Sequence, residues 1–102
     1  MSWRVVWTPN AIQNLREIAH HQEERSIGRG VALTNAIFER LDALREFPYS
    51  APRHPRMQDE RVRRLVFQKH LVIYRVIEPQ NELQILAVRH QRQRSLTPDE
   101  LS

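Results

Sequence analysis

Apolar residues recur along this chain in two rhythms: every second residue at the start, every third or fourth through the next forty or so, and every second again toward the end. Trp3, Val5 and Trp7 sit at alternate positions, which predicts a short strand with one buried face. Thr8-Pro9 ends it, because threonine can cap a helix whose first position is a proline with no N–H to satisfy. Ala11, Ile12, Leu15, Ile18 and Ala19 follow at helical spacing and predict a first helix from Pro9 to about Glu24. A polar link with Gly28 and Gly30 turns the chain. Val31, Thr34, Ile37, Phe38, Leu41, Leu44 and Phe47 then repeat at three and four, predicting a second helix that stops before Pro48. So short a link makes the two helices an antiparallel hairpin sharing one core.

Pro48, Pro52 and Pro55, mixed with Ser, Arg, His and Asp, make residues 48 to 60 an irregular loop. Period two then returns in Val62 to Phe67, Leu71 to Ile77 and Leu83 to His90. The connections between these runs are short enough for an antiparallel meander. The middle run is apolar on both faces and is expected at the centre. With Gln68-Lys69 as the hairpin tip, Phe67 faces His70, which places Leu65, Phe67, Val72, Tyr74 and Val76 toward the helices. Arg64, Val66, Leu71, Ile73 and Arg75 fall on the other face, expected as an open groove. Thr97-Pro98-Asp99-Glu100 carries a capping signature for one further helical turn. The fold class expected is α+β: an N-terminal strand, a helix hairpin and a three-stranded meander forming one sheet packed on the helices.

Composition narrows what such a fold can be. At 102 residues the chain is expected to form one domain, residues 1 to 102. Without cysteine it has no disulfide framework and no thiolate metal site, as suits a reducing cytoplasm. Its longest apolar run, Leu71 to Ile77, is broken by Arg75 and far shorter than the roughly 20 residues that span a bilayer. No membrane association is expected. The net charge of +4 arises entirely after residue 50, and fifteen of the sixteen cations are arginine, whose planar fork suits phosphate and carboxylate. Arginines set on strands point to an anionic or acidic partner.

Other constellations carry less. His20, His21 and Glu24 lie close on one helix, but polar side chains on an exposed helix face stay solvated, so no metal and no cofactor is expected. His54 with Arg53 and Arg56 is a second-rank phosphate candidate in the proline-rich loop. Tyr74 reads as a core residue with a satisfied hydroxyl. No phosphate-cradling glycine loop and no serine or cysteine nucleophile motif occurs. A plain nucleic-acid-binding module would explain the basic strands, yet recognition-helix patterning and paired exposed aromatics are missing.

Five segments, in order, resemble one family: Trp7-Thr-Pro-Asn-Ala11 with Leu15 and Ile18 behind it, Leu44-Arg-Glu-Phe47-Pro48, Arg64-Leu-Val-Phe67, Ile73-Tyr-Arg-Val76, and Ile85-Leu-Ala-Val88-Arg-His90-Gln-Arg92. The chain resembles the RelE/ParE superfamily of toxins from type II toxin–antitoxin systems. That resemblance implies a small α+β toxin held inactive by an antitoxin encoded beside it.

The RelE-like branch implies a ribosome-dependent mRNA endonuclease, in which cations on the sheet and a tyrosine or histidine near the C-terminus act on the scissile phosphate. Here Arg64, His90 and Arg92 would be the catalytic candidates. Leu71, however, stands where that branch places an arginine, and no tyrosine follows Tyr74. The ParE-like branch, which implies inhibition of DNA gyrase by binding, fits better and requires no catalytic residue. On this reading Arg89, His90, Arg92 and Arg94 contact the target. Arg64, Leu71, Ile73 and Arg75 receive the acidic C-terminal segment of a ParD-like antitoxin, giving a toxin–antitoxin hetero-oligomer.

Overall fold

The computed structural model describes residues 3–93 and 100 of the chain. Strand β1, Arg4–Trp7, leads into helix α1, Pro9–Arg25, and helix α2, Arg29–Leu44; strands β2, Val62–Phe67, β3, His70–Ile77, and β4, Glu82–His90, complete the order, with a short 3-10 turn over Glu78–Gln80. Thr8 performs the capping its position predicts. Its Oγ1 accepts the N–H of Ala11 at 3.2 Å and donates to the carbonyl of Ile85 at 2.7 Å, so one hydroxyl starts α1 and fastens it to β4.

The start of α2 is capped from outside. Gly28 takes φ +84° and has no side chain to offer, and the carboxylate of Glu23, on the last turns of α1, accepts the N–H groups of Gly28 and Gly30 at 2.6 and 3.0 Å. Those are orphan donors of a helix N-terminus, and a carboxylate is the best acceptor for them. The buried stripe of α2 is Gly30, Leu33, Ile37, Leu41 and Leu44. This corrects the predicted stripe: Val31 is 64% exposed and Phe47 is 71% exposed and lies beyond the helix. Phe38 is also largely exposed, covering one edge of the Trp7 ring at 5.6 Å.

The sheet runs β1-β4-β3-β2. The meander is antiparallel as expected, while β1 adds parallel to β4, with Arg4 opposite Glu82 and Trp7 opposite Ile85. The hairpin register is the expected one, Phe67 opposite His70 and Leu65 opposite Val72. Gln68 at its tip holds φ +54°, the left-handed region that glycine or asparagine would occupy with less strain. Leu65, Val72, Tyr74, Val76, Leu83, Ile85 and Val88 form one core with α1 and α2, with Phe67 packed at its margin.

A bulge interrupts the β3–β4 ladder: Ile73 pairs with Ala87 and Tyr74 with Ile85, so Leu86 is the extra residue. Helix α1 satisfies the polar groups this disturbs. The Asn10 amide donates to the Leu86 carbonyl at 3.0 Å, and the Asn14 amide oxygen accepts the Val88 N–H at 3.1 Å.

The far face of the sheet is not the open groove expected throughout. Ile73, Val62, Leu86 and Ala87 form a second apolar cluster with Met57 of the proline-rich loop packed against it. That loop also lines the edge of β2, where Arg53 bridges Arg63, the His54 N–H reaches the Val62 carbonyl and the Arg64 N–H reaches the Pro52 carbonyl. Arg94 and the Thr97-Pro98-Asp99 part of the capping signature lie outside the described residues. Among the described residues, no helix is long and apolar enough to cross a membrane.

Candidate binding surfaces of the sheet

Side-chain alternation along the strands sorts the arginines before any chemistry is considered. Arg64, Arg75 and Arg89 stand opposite or beside Ile73 on the far face, whereas His70, paired with His90, belongs to the helix-facing side with Val72 and Tyr74. The residues grouped by proximity in sequence are therefore divided. Arg89 and His90 point to opposite faces. Arg64 and His90 do so as well, and are two strands and about three residues apart, roughly 14 Å along the sheet by strand spacing and rise. Of the nuclease candidates, Arg64 therefore starts from the opposite face of the sheet to His90, while His90 and Arg92 line one cavity.

On the far face, Arg75 lies 3.6 Å from the Asp59 carboxylate. Arg61 grips the same carboxylate with two side-chain donors at 3.0 and 2.9 Å and with its backbone N–H at 3.0 Å. These bonds to Arg61, ahead of the charge of Arg75, hold the Asp59 carboxyl down to about 2. Arg64 is half-buried, and its Nε is buried without a hydrogen-bond partner among the described residues. An incoming acceptor would repair that deficit. Half-buried Leu71 and exposed Val66 border it. Ile73, expected among the contact residues, is only 2% exposed and forms the floor beneath them.

Arg63 is committed to structure. Its guanidinium stacks over the Tyr49 ring at 4.8 Å and donates to the carbonyls of Ala51 and Glu60 at 3.3 and 3.1 Å. The Tyr49 hydroxyl in turn donates to Glu78 at 2.6 Å. His54 is 4% exposed, not a solvated loop residue. Its Nδ1 accepts the Arg56 N–H at 3.1 Å, and burial, followed by the charges of Arg64 and Arg56, pushes its pKa down. With its Nδ1 taken by the loop's own backbone, the His54 ring serves the structure of the loop. Tyr74 is fully buried and donates to the Pro48 carbonyl at 2.7 Å; burial drives its hydroxyl up to about 12. His20 pairs with Glu24 at 3.0 Å on an exposed face.

At the end of β4, His90 is half-buried and Arg92 is exposed. The Arg92 N–H donates to His90 Nδ1 at 3.1 Å and the His90 N–H donates to the Gln93 side chain at 2.7 Å, a local turn that fixes the ring. His70 meets it edge-on at 5.3 Å between centroids. Sequence reading passed over His70 as part of a hairpin connection. Its pairing with inward-facing Phe67 was the available signal. Beside the two rings a cavity of about 530 Å³ extends to α1 and α2.

The comparisons with known proteins agree with this architecture. No curated protein gives a significant sequence match. Among solved structures, the chromosomal ParDE toxin–antitoxin system from P. aeruginosa superposes with a TM-score of 0.71 at 21% identity, covering 87% of this chain and 96% of that one. The toxin–antitoxin complex RelBE2 from Mycobacterium tuberculosis gives 0.65 at 16% identity, covering 88% and 99%. The isolated E. coli RelE toxin gives 0.66 at 15% identity, covering 92% and 88%. These likenesses establish the fold. The model of the family described as the ParE toxin of type II toxin–antitoxin system, parDE, matches residues 5–95, and the chain therefore belongs to that ParE toxin family.

Proposed function

We propose that this toxin acts by gripping DNA gyrase rather than by cutting RNA, and that a ParD-like antitoxin with an acidic C-terminal segment neutralises it. The observation that carries the reading is the division of the cations between the two faces of the sheet. Phosphodiester cleavage needs a base, an acid and charge stabilisation within hydrogen-bond reach of one phosphate. Arg64 and His90 stand back to back, Leu71 supplies no cation, and Tyr74 is locked in the core at Pro48. Binding a large partner asks less of geometry: it needs exposed cations around apolar ground, which the strand ends provide.

In this reading the far face, with Arg64 and Arg75 around Leu71 and above the floor of Ile73, takes the antitoxin segment. Arg89, His90, Arg92 and Arg94 reach the target. The toxin works without a cofactor, in the cytoplasm where gyrase is found, and is stored as a hetero-oligomer with its antitoxin. The test sets purified toxin against gyrase supercoiling and, in parallel, against mRNA on programmed ribosomes. Loss of supercoiling with intact mRNA is expected. Cleavage of the A-site codon with unimpaired gyrase overturns the proposal and restores Arg64 and Arg92 as catalytic candidates.

A further inference from the structure

We propose that the cavity between the helix hairpin and the end of the β3–β4 ladder is a binding site for a phosphate group. Its walls come from four separate parts of the chain: the last turn of α1, the first turns of α2, the β2–β3 turn and the residues after β4. These bring together Arg25, Arg29, Lys69 and Arg92 with the imidazoles of His70 and His90, and no carboxylate lines the cavity. A second lobe of about 410 Å³ shares Arg25, Arg92 and both imidazoles, and has Glu17 as its one acidic residue among those described.

Four cations around one cavity, with Glu17 as the one counter-charge in the adjoining lobe, repel one another, and an anion placed among them relieves that repulsion. None of the four has an ion-pair partner among the described residues. Three are guanidinium groups, whose forked donors match phosphate oxygens. The second observation is independent. His70 is 5% exposed, lines both lobes, and its Nδ1 is buried without a hydrogen-bond partner. Burial of an unpaired ring nitrogen costs free energy that a structural role alone does not return. Burial, and then His90, push the His70 pKa down, which favours the neutral ring. A bound anion supplies the counter-charge that lets the ring take up a proton. The titratable and charged groups that line the two lobes with His70 are Glu17, His21 and Arg25 from α1, Arg29 from α2, Lys69 from the hairpin turn, and His90 and Arg92 from the end of β4, of which His90 acts on the ring directly.

Size and lining favour a phosphate over an acidic peptide. A cavity of about 530 Å³ admits a group of nucleotide size and no helix. Four cations exceed what one carboxylate can neutralise, and Ala32 and Ala36 leave a small apolar wall for whatever carries the phosphate. The carrier is either a nucleic-acid backbone or a free phosphorylated molecule. The site shares His90 and Arg92 with the residues assigned to the target, whereas Arg25, Arg29, Lys69 and His70 lie outside that assignment.

The experiment titrates inorganic pyrophosphate into the purified chain by calorimetry and follows the His70 ring proton by NMR. Arg25 and Arg29 are exposed and outside the residues assigned to target contact, so R25A/R29A should leave the circular dichroism spectrum and Tm close to the parent's; R16A, an exposed cation elsewhere on α1, is the control. Pyrophosphate should bind, move the His70 resonance and raise its titration midpoint. Its affinity should fall by more than about tenfold in R25A/R29A and by less than about twofold in R16A. A short single-stranded oligonucleotide that displaces pyrophosphate identifies a backbone phosphate as the source; pyrophosphate binding that the oligonucleotide leaves untouched identifies a free phosphorylated molecule. Absence of binding, equal affinity in R25A/R29A, or preferential binding of a hexaglutamate peptide overturns the assignment.

Discussion

Replacing Gly30 by alanine tests how tightly the helix hairpin, and with it the wall carrying Arg29, is pinned to the rest of the fold. A Cβ on Gly30 would stand 2.4 Å from the Ala19 carbonyl oxygen and 3.1 Å from its carbon, both backbone atoms of α1, and 3.1 Å from Glu23 Oε1. A backbone carbonyl cannot swing aside as a side chain can. The helices must therefore separate by roughly 0.6 to 1 Å at their closest approach, an overpacking that costs about 1–3 kcal/mol in a well-filled interior. Alanine recovers at most about 1 kcal/mol of helix propensity at this position. With a backbone carbonyl as the obstacle the cost lies toward the upper end, about 2–3 kcal/mol, so the net loss is about 1–2 kcal/mol, or a fall in Tm of about 5–15 °C for a chain of this size. Thermal and urea unfolding followed by circular dichroism measure it. Gly28→Ala is the companion variant: nothing lies within 4 Å of its Cβ, so it should lose about 1 kcal/mol only through the strain of φ +84°. An unchanged or raised Tm in G30A would show that the hairpin slides freely and would refute the close-packing argument.

Tyr74→Phe should destabilise by about 0.5–1.5 kcal/mol, because it removes the hydrogen bond to the part-buried Pro48 carbonyl; a urea midpoint equal to the parent's would deny that bond. Arg64 and Arg75 changed together to Glu should weaken antitoxin binding by more than about tenfold in a calorimetric titration, and unchanged affinity would place the antitoxin elsewhere. Stability should also fall on acidification, in two stages. His54 and His70 have folded pKa values below 6.5, so the unfolded chain takes up protons first and stability present above that pH declines as pH falls through their folded values. Asp59, at about 2 against 3.8 when unfolded, contributes stability that is present above 3.8 and is lost toward 2. Urea midpoints that stay flat from pH 7.5 to 5 would remove the histidine stage.

Much of this fold was legible because the rhythms that specify it are local. The Thr8 cap, the Phe67–His70 register and the inward set Leu65, Val72, Tyr74 and Val76 follow from spacing alone. Ile37, Leu41 and Leu44 of the α2 stripe follow from spacing too, but its start was misplaced at Val31 and Thr34, because two rows fit a three-and-four repeat there and the true one begins at Gly30, which has no apolar side chain to mark it. Parallel addition of β1 to β4 joins residues nearly eighty positions apart and leaves no local trace. The bulge at Leu86 escaped for a similar reason, since the asparagines that satisfy it are on α1.

The candidate site divided along the same line. Arg64 and Arg75 could be placed on one face by counting, and so could His70 and His90 on the other. That Ile73 forms a floor depends on Met57 folding over it from the proline-rich loop, and the cavity at His70 depends on the meeting of four segments. Neither is visible from spacing along any one element.

The central claim is most directly tested by gyrase-mediated DNA cleavage in the presence of the toxin. Purified gyrase, plasmid DNA and ATP, incubated with increasing toxin and then denatured, should yield linear DNA in proportion to toxin. The yield should fall with the R89E/R92E variant and vanish when the antitoxin is added. Linear DNA that never rises above the gyrase-only level, while the same toxin preparation cuts ribosome-bound mRNA, would contradict the account.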